Sequence, residues 1–159
     1  MMQMKTIVTP IGPIRLIGDG DVLVGLYTGE EQGITAEPAE TPLLSATAEQ
    51  VDAFFIGRLQ DFDLPMRLDG TPFQRRVWDT LLTIPYGQTI SYKQLADQVG
   101  SIAGFRAVGA ANGRNPISII VPCHRVIAHD GKLGGYGGGL PRKRWLLDHE
   151  AAHAGMRLI

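Results

Sequence analysis

Ser91-Tyr92-Lys93-Gln94-Leu95-Ala96-Asp97-Gln98-Val99-Gly100, followed at once by Gly104-Phe105-Arg106-Ala107-Val108-Gly109-Ala110-Ala111-Asn112, is the stretch on which the fold turns. Ser91 can cap a short helix through Val99, Gly100 breaks it, and a further helix is predicted from about Ala103 to Asn112. Helix, tight turn and helix within about twenty residues is the spacing of a helix-turn-helix, although short helix pairs also occur in bundles. The second helix carries a single charge, Arg106, among mostly small side chains. A helix that reads base edges in the major groove presents several polar side chains, so this one suits a shallow minor groove with Arg106 as its long probe. Close packing on a neighbouring helix is the alternative use of the same small residues.

Downstream, Asn115-Pro116 and the apolar Ile119-Ile120-Val121 lead into Pro122-Cys123-His124-Arg125-Val126, which holds the only cysteine of the 159 residues. A thiol beside an imidazole is a candidate nucleophile and base. Adjacent side chains of an extended chain point to opposite faces, however, and a half-buried cysteine at a strand end is the plain alternative. After a turn at Asp130-Gly131 comes Gly134-Gly135-Tyr136-Gly137-Gly138-Gly139, a permissive backbone around one aromatic face, fit for a pocket lid. It lacks the Gly-Lys-Ser/Thr sequence of a phosphate cradle. Pro141 opens a last helix with Trp145, Leu146 and Leu147 on a core face and Glu150 beyond them. His149 and His153 are four apart but have no third ligand in view, and are assigned to a solvated face; no metal is implied.

Upstream, Thr71-Pro72 starts a helix with Phe73, Val77 and Leu81 on one face, flanked by Trp78 as core and by Leu82, and Pro85-Tyr86-Gly87 turns the chain. Thr41-Pro42 starts another helix, which Gly57 stops. Met4 to Val8, Pro13 to Ile17 and Val22 to Tyr27 read as an antiparallel meander, Gly29 to Glu40 as an acidic loop, and Phe62 to Leu68 as a final strand or a linker. Up to Gly70 these residues read as scaffold, without chemistry of their own.

A 44% hydrophobic content supplies a real core for one domain or two small ones. No apolar run approaches the roughly 18 residues of a membrane span, and no signal-peptide pattern opens the chain, so a soluble, cytoplasmic protein is expected. One cysteine excludes an internal disulfide and suits a reducing compartment. The net charge of -1 hides an asymmetry: residues 1–70 carry four Lys or Arg against eleven Asp or Glu, residues 71–159 eleven against five. A basic half that also holds all four histidines is suited to a polyanion, unless the dipole is chance.

Arg106-Ala-Val-Gly109, Asn115-Pro116, Pro122-Cys123-His124-Arg125-Val126, Tyr136 and Trp145-Leu-Leu with His149-Glu150 resemble, in order and spacing, the O6-alkylguanine-DNA alkyltransferases of the stand-alone type. The match runs from about Phe73 to Glu150, and Ile90-Ser91-Tyr92 fits it too. The resemblance implies an α+β protein: a small mixed strand and helix region over 1–70, then a mainly helical, winged-helix-like DNA-binding and alkyl-transfer domain over 71–159. It implies direct-reversal repair, in which O6-alkylguanine, and O4-alkylthymine, is flipped from the duplex and gives its alkyl group irreversibly to the protein, without a cofactor. Double-stranded DNA met through the minor groove is the implied partner of a monomer, with single or cooperative loading both open to it, associated with the nucleoid if the source is bacterial.

By the same resemblance Cys123 is the acceptor, His124, acting through a water, and Glu150 make it a thiolate, and Tyr92 gives a proton to the departing base. The carbonyls of Cys123 and Val126 would hold the base's amine, Tyr136 and Gly137 would wall its pocket, and Asn115 would be the hinge before the active-site strand. Arg106 would fill the gap in the stack, Gly104, Phe105, Ala107 and Gly109 would line the groove, and Lys93, Ser101 and His129 would meet phosphates. Phe105 and Gly137 depart from side chains found in other members, and Ser118 falls at a variable pocket rim. A non-catalytic damage sensor on the same fold is opposed by Cys123 itself, where such proteins carry tryptophan; a Cys-His hydrolase would leave Arg106 and the helix pair unexplained.

Overall fold

The computed structural model describes residues 2–29, 35–100, 102, 104–128, 130–136 and 138–155. The three apolar runs near the start form β1 (Gln3–Thr9), β2 (Gly12–Asp19) and β3 (Val22–Tyr27), an antiparallel meander as their spacing predicts. A two-residue strand, β4 (Glu37–Pro38), joins β1 in parallel, giving the order β3-β2-β1-β4. Helix α1 (Pro42–Phe55) covers the sheet with Leu44, Val51 and Phe54, and Thr41 caps it by accepting from the amide of Leu44. A capped start followed by apolar residues at helical spacing explains this helix completely.

Helix α2 (Pro72–Leu81) begins with a reciprocal capping box between Thr71 and Gln74. Trp78 is 1% exposed and its indole N–H donates to the carbonyl of Ala111 at 2.9 Å, which fixes α2 against the later helix α4. Strand β5 (Ile90–Ser91) leads into α3 (Tyr92–Val99), where Ser91 and Gln94 form a second capping box and Gly100, at φ 73°, ends the helix in the left-handed region. Helix α4 (Phe105–Gly113) packs on α2 and α3. It starts later than the sequence predicts, and Ala103 lies outside the described residues.

Two expectations are corrected. Residues 117–122 are not a strand: Val121 donates back to the carbonyl of Ile117, Ile119 takes a φ of 74°, and Cys123 opens a single 3-10 turn (Cys123–Arg125) before β6 (Val126–Ile127), which pairs in parallel with β5. His149 and His153, on α5 (Leu140–His153), are not on a solvated face. His149 is 9% exposed, stacks on Trp145 and shares a 2.7 Å hydrogen bond with the carbonyl of Phe54. Counting only polarity along α5 misses that α1 covers that face and offers a carbonyl of its last turn, which accepts from the amide of Gly57 and has a second lone pair for His149.

The outer edge of β3 is finished by later segments. Leu23 donates to Pro65 and accepts from Arg67, and Leu26 donates to Pro116 at 2.9 Å and accepts from Ser118 at 3.2 Å. The 62–68 run is therefore neither a full strand nor a free linker. Buried residues of both halves form one continuous core. No described helix is long and apolar enough to cross a membrane.

Candidate active site

Proline at 122 and the 3-10 turn decide the geometry, because a tight turn rotates successive side chains by about a third of a circle and lets Cys123, His124 and Arg125 face different partners. All three are buried. His124 Nε2 lies 2.7 Å from Oε2 of Glu150, and Arg125 grips the same carboxylate from Nε at 2.8 Å and from its terminal amine at 2.9 Å. The remaining guanidinium nitrogen donates to the carbonyl of Ile84 at 2.7 Å, and the amide of Gly87 reaches Glu150 at 3.3 Å. Burial raises the Glu150 carboxyl, but the hydrogen bonds and charges of His124 and Arg125 outweigh it and hold the pKa down at about 2.

A carboxylate that is always ionised accepts from His124 Nε2–H and leaves the lone pair on Nδ1. Nδ1 has no hydrogen-bond partner among the described residues. Burial lowers the His124 pKa, against the pull of Glu150, so the imidazole is neutral near pH 7 and its Nδ1 lone pair can accept a proton. Burial likewise pushes the Cys123 thiol up, with Asn115, Lys143 and Ser118 acting the other way. The resting sulfur is a thiol that needs a base.

Cys123 opens on a cavity of about 360 Å³, lined also by Tyr27, Thr28, Tyr92, Gly109, Asn112, Asn115, Ser118, Gly135, Tyr136 and Gly138. Asn115 shapes the floor: its Nδ2 donates to Val121 at 2.7 Å and its Oδ1 accepts from Ile117 at 3.0 Å. Asn112 donates to the carbonyl of Cys123 at 3.3 Å. The Tyr92 hydroxyl donates to Gly135 at 3.3 Å, and the buried hydroxyl of Tyr136 has no partner among the described residues. Gly134 and Gly138 are required by crowding: a Cβ on the first would fall 2.9 Å from the Tyr92 ring, and on the second 2.8 Å from that of Tyr136.

The structure thus brings Cys123, Tyr92, Asn115, Ser118 and Tyr136 around one cavity, with His124 and Glu150 beneath. Val126 does not line it, and its carbonyl accepts from Lys143 at 2.6 Å. Phe105, Arg106 and Lys93 are exposed, Gly104 and Ala107 half-buried, while Gly109 lies at the cavity rim. Ser101, His129 and Gly137 lie outside the described residues. Sequence reading missed Arg125, Asn112, Lys143 and Thr28. Lys143 is fully buried and its ammonium donates to Val126, Leu133 and Gly135, tying β6 to the glycine-rich segment. A lysine beside Arg142 and Arg144 reads as surface charge, and nothing in the sequence sets it apart.

A lone buried thiol with its own histidine and ionised carboxylate, opening on a base-sized cavity beside two packed helices, defines a protein whose reaction centres on one cysteine. Residues 72–152 match the family model described as 6-O-methylguanine DNA methyltransferase, DNA binding domain, and the chain belongs to that family. A methylated-DNA--protein-cysteine methyltransferase of Mycobacterium tuberculosis is 51% identical over 97% of this chain and 95% of its own length. One of Shigella flexneri is 44% identical over 92% and 94%. A crystal structure of Mycobacterium tuberculosis OGT in complex with DNA superposes with a TM-score of 0.90 at 51% identity, covering 97% of this chain and 96% of that one.

Proposed function

We propose that the protein repairs DNA by direct reversal, taking the alkyl group of O6-alkylguanine, and of O4-alkylthymine, onto Cys123 and keeping it. One observation carries this reading: the sequence's single cysteine is buried at a base-sized cavity, above a histidine whose other nitrogen is held by an ionised carboxylate. His124 Nδ1 takes the thiol proton through a water, and the imidazolium is stabilised by Glu150. The thiolate attacks the alkyl carbon, a carbon–sulfur bond forms as the bond to O6 breaks, and guanine leaves as an anion. Tyr92 supplies its proton; the hydroxyl is within the cavity, and burial first, then the Cys123 charge, keep it protonated. Tyr136 and Gly137 bond or wall the base, with Asn115 holding the floor and the carbonyls of Cys123 and Val126 facing its amine, the second once Lys143 yields.

A base inside a duplex must be extruded, at a cost of a few kcal/mol. Arg106, exposed on α4, fills the gap in the stack, while Gly104, Phe105, Ala107 and Gly109 meet the minor groove and Lys93, Ser101 and His129 meet phosphates. The protein works as a monomer that loads side by side on DNA, its scaffold of residues 1–70 behind a reactive half of 71–159. The product on the protein is a thioether, which has no carbonyl for water to attack, so the sulfur is not regenerated. Mixing the protein with excess alkylated duplex and measuring intact mass and repaired base together tests this: one alkyl group per molecule is expected, and turnover beyond one equivalent, or repair with Cys123 unmodified, overturns it.

A further inference from the structure

We propose that Thr28, from the amino-terminal sheet, sets the size of the alkyl group that the site accepts; this rests on the alkyl-transfer reading above. Side chains alternate along β3: Leu26 is fully buried in the core and Thr28, two residues on, follows it to the same side, 5% exposed, at the cavity that holds Cys123. The Tyr27 ring lies over Gly25, where a Cβ would come within 2.7 Å of it, and Tyr27 borders the cavity as well. Thr28, just past the end of this strand, is the more deeply buried of the two neighbours that border the cavity there.

That wall is held on both sides. Behind it, Leu26 is bonded through its main chain to Pro116 and Ser118, and Ile117 is held by Asn115, which also binds Val121, two residues from the thiol. Beside it, the glycine-rich segment leaves no slack: a Cβ on Gly138 would meet the Thr28 hydroxyl oxygen at 2.5 Å and the Tyr136 ring at 2.8 Å. A β-branched side chain has few rotamers with which to retreat. The reacting carbon must sit against the sulfur, so a methyl group needs one carbon's room there. A larger group has to extend within the same cavity of about 360 Å³, which Thr28 closes on one side. The first strands therefore act on substrate choice: small O6-alkyl groups pass and bulky ones are opposed.

Transfer rates to Cys123 from methylated and benzylated guanine in the same oligonucleotide, measured for Thr28→Gly, Thr28→Ser and Thr28→Leu, test this. Thr28→Gly is expected to raise the benzyl-to-methyl rate ratio about tenfold, Thr28→Ser less, and Thr28→Leu to lower it by about as much, the discrimination that a few carbon atoms give in a closed pocket. If Thr28→Gly loses stability, the smaller and opposite substitutions carry the same comparison. A ratio that stays at the wild-type value in Thr28→Ser and Thr28→Leu while methyl transfer persists overturns the role of Thr28 and leaves the reaction intact. Wild-type protein that transfers neither group overturns the function itself.

Discussion

His124 and Glu150 face each other across 2.7 Å with at most 1% of either side chain exposed. At that depth an ionised carboxylate is stable only because Arg125 answers it as well. The same carboxylate therefore orients a base and neutralises a buried cation, and rate and stability report the two duties separately.

Glu150→Gln keeps the shape and removes the charge. It should slow alkyl transfer by roughly 10²- to 10⁴-fold, the usual worth of a positioned base. It should also destabilise the fold by about 3–5 kcal/mol, because Arg125 is left as a buried cation without its partner. Single-turnover rates and denaturant titration check both; a lost fold with an unchanged rate in the surviving native fraction would assign Glu150 to Arg125 alone.

Acid should lower stability progressively, first as pH falls through the free histidine range and further through the free carboxylate range. The pKa values of His124, His149 and Glu150 are all lower in the fold than in the free side chain, Glu150 at about 2. The unfolded chain then binds more protons, so stability is present above the free-side-chain values and is lost as pH falls toward the folded ones. Transfer, in contrast, should accelerate with rising pH through and beyond the ordinary thiol range, since burial raises the Cys123 pKa. Tm and single-turnover rate should therefore rise together from pH 4 to 7, and a rate that falls from pH 6 to 7, below the point at which Lys143 loses its charge, would contradict the raised thiol.

Lys143→Met should loosen the segment 133–136. Burial lowers the lysine's pKa to about 8, yet three carbonyls depend on its ammonium. Each carbonyl left dry costs about 1–3 kcal/mol. Faster amide exchange around Gly135 and Tyr136, with slower transfer, is the expected outcome; unchanged exchange there would mean that the glycine-rich segment holds itself.

Arg106→Ala should slow repair in duplex DNA by a few kcal/mol at most, the scale of base extrusion, and should spare transfer from a free base analogue. Arg106 is exposed on α4 and is not among the residues lining the cavity. Equal losses on both substrates would assign it to the fold or pocket.

Most of the fold was legible because its signals are local. Thr41-Pro42, Thr71-Pro72 and Ser91 are caps whose partners stand three residues away, and Gly100 takes the positive φ that ends α3. The reactive residues were legible as a motif, but their geometry was not. Cys123 and His124 looked like neighbours on an extended chain, and only the turn after Pro122 sends His124 down to Glu150. Arg125 and Lys143 went unread, and His149 was placed on a solvated face, for one reason: each is a polar residue buried by an element distant in sequence, and the carbonyl or carboxylate that satisfies it comes from elsewhere in the chain. Thr28 was passed over because a strand end carries no chemical signature.

Leu26 exchanges main-chain hydrogen bonds with Pro116 and Ser118, so the sheet's last edge is completed by the segment that leads to the thiol. Bonds of this kind do not depend on side-chain identity, and they tolerate sequence drift on either side. They do not tolerate separation. Expressed from residue 71 onward, the cysteine-bearing half would expose an amide and a carbonyl meant for a strand, and its cavity would lie open where Thr28 closes it. The reactive half is not a portable module, and the strands of the 1–70 half are a template on which it finishes itself.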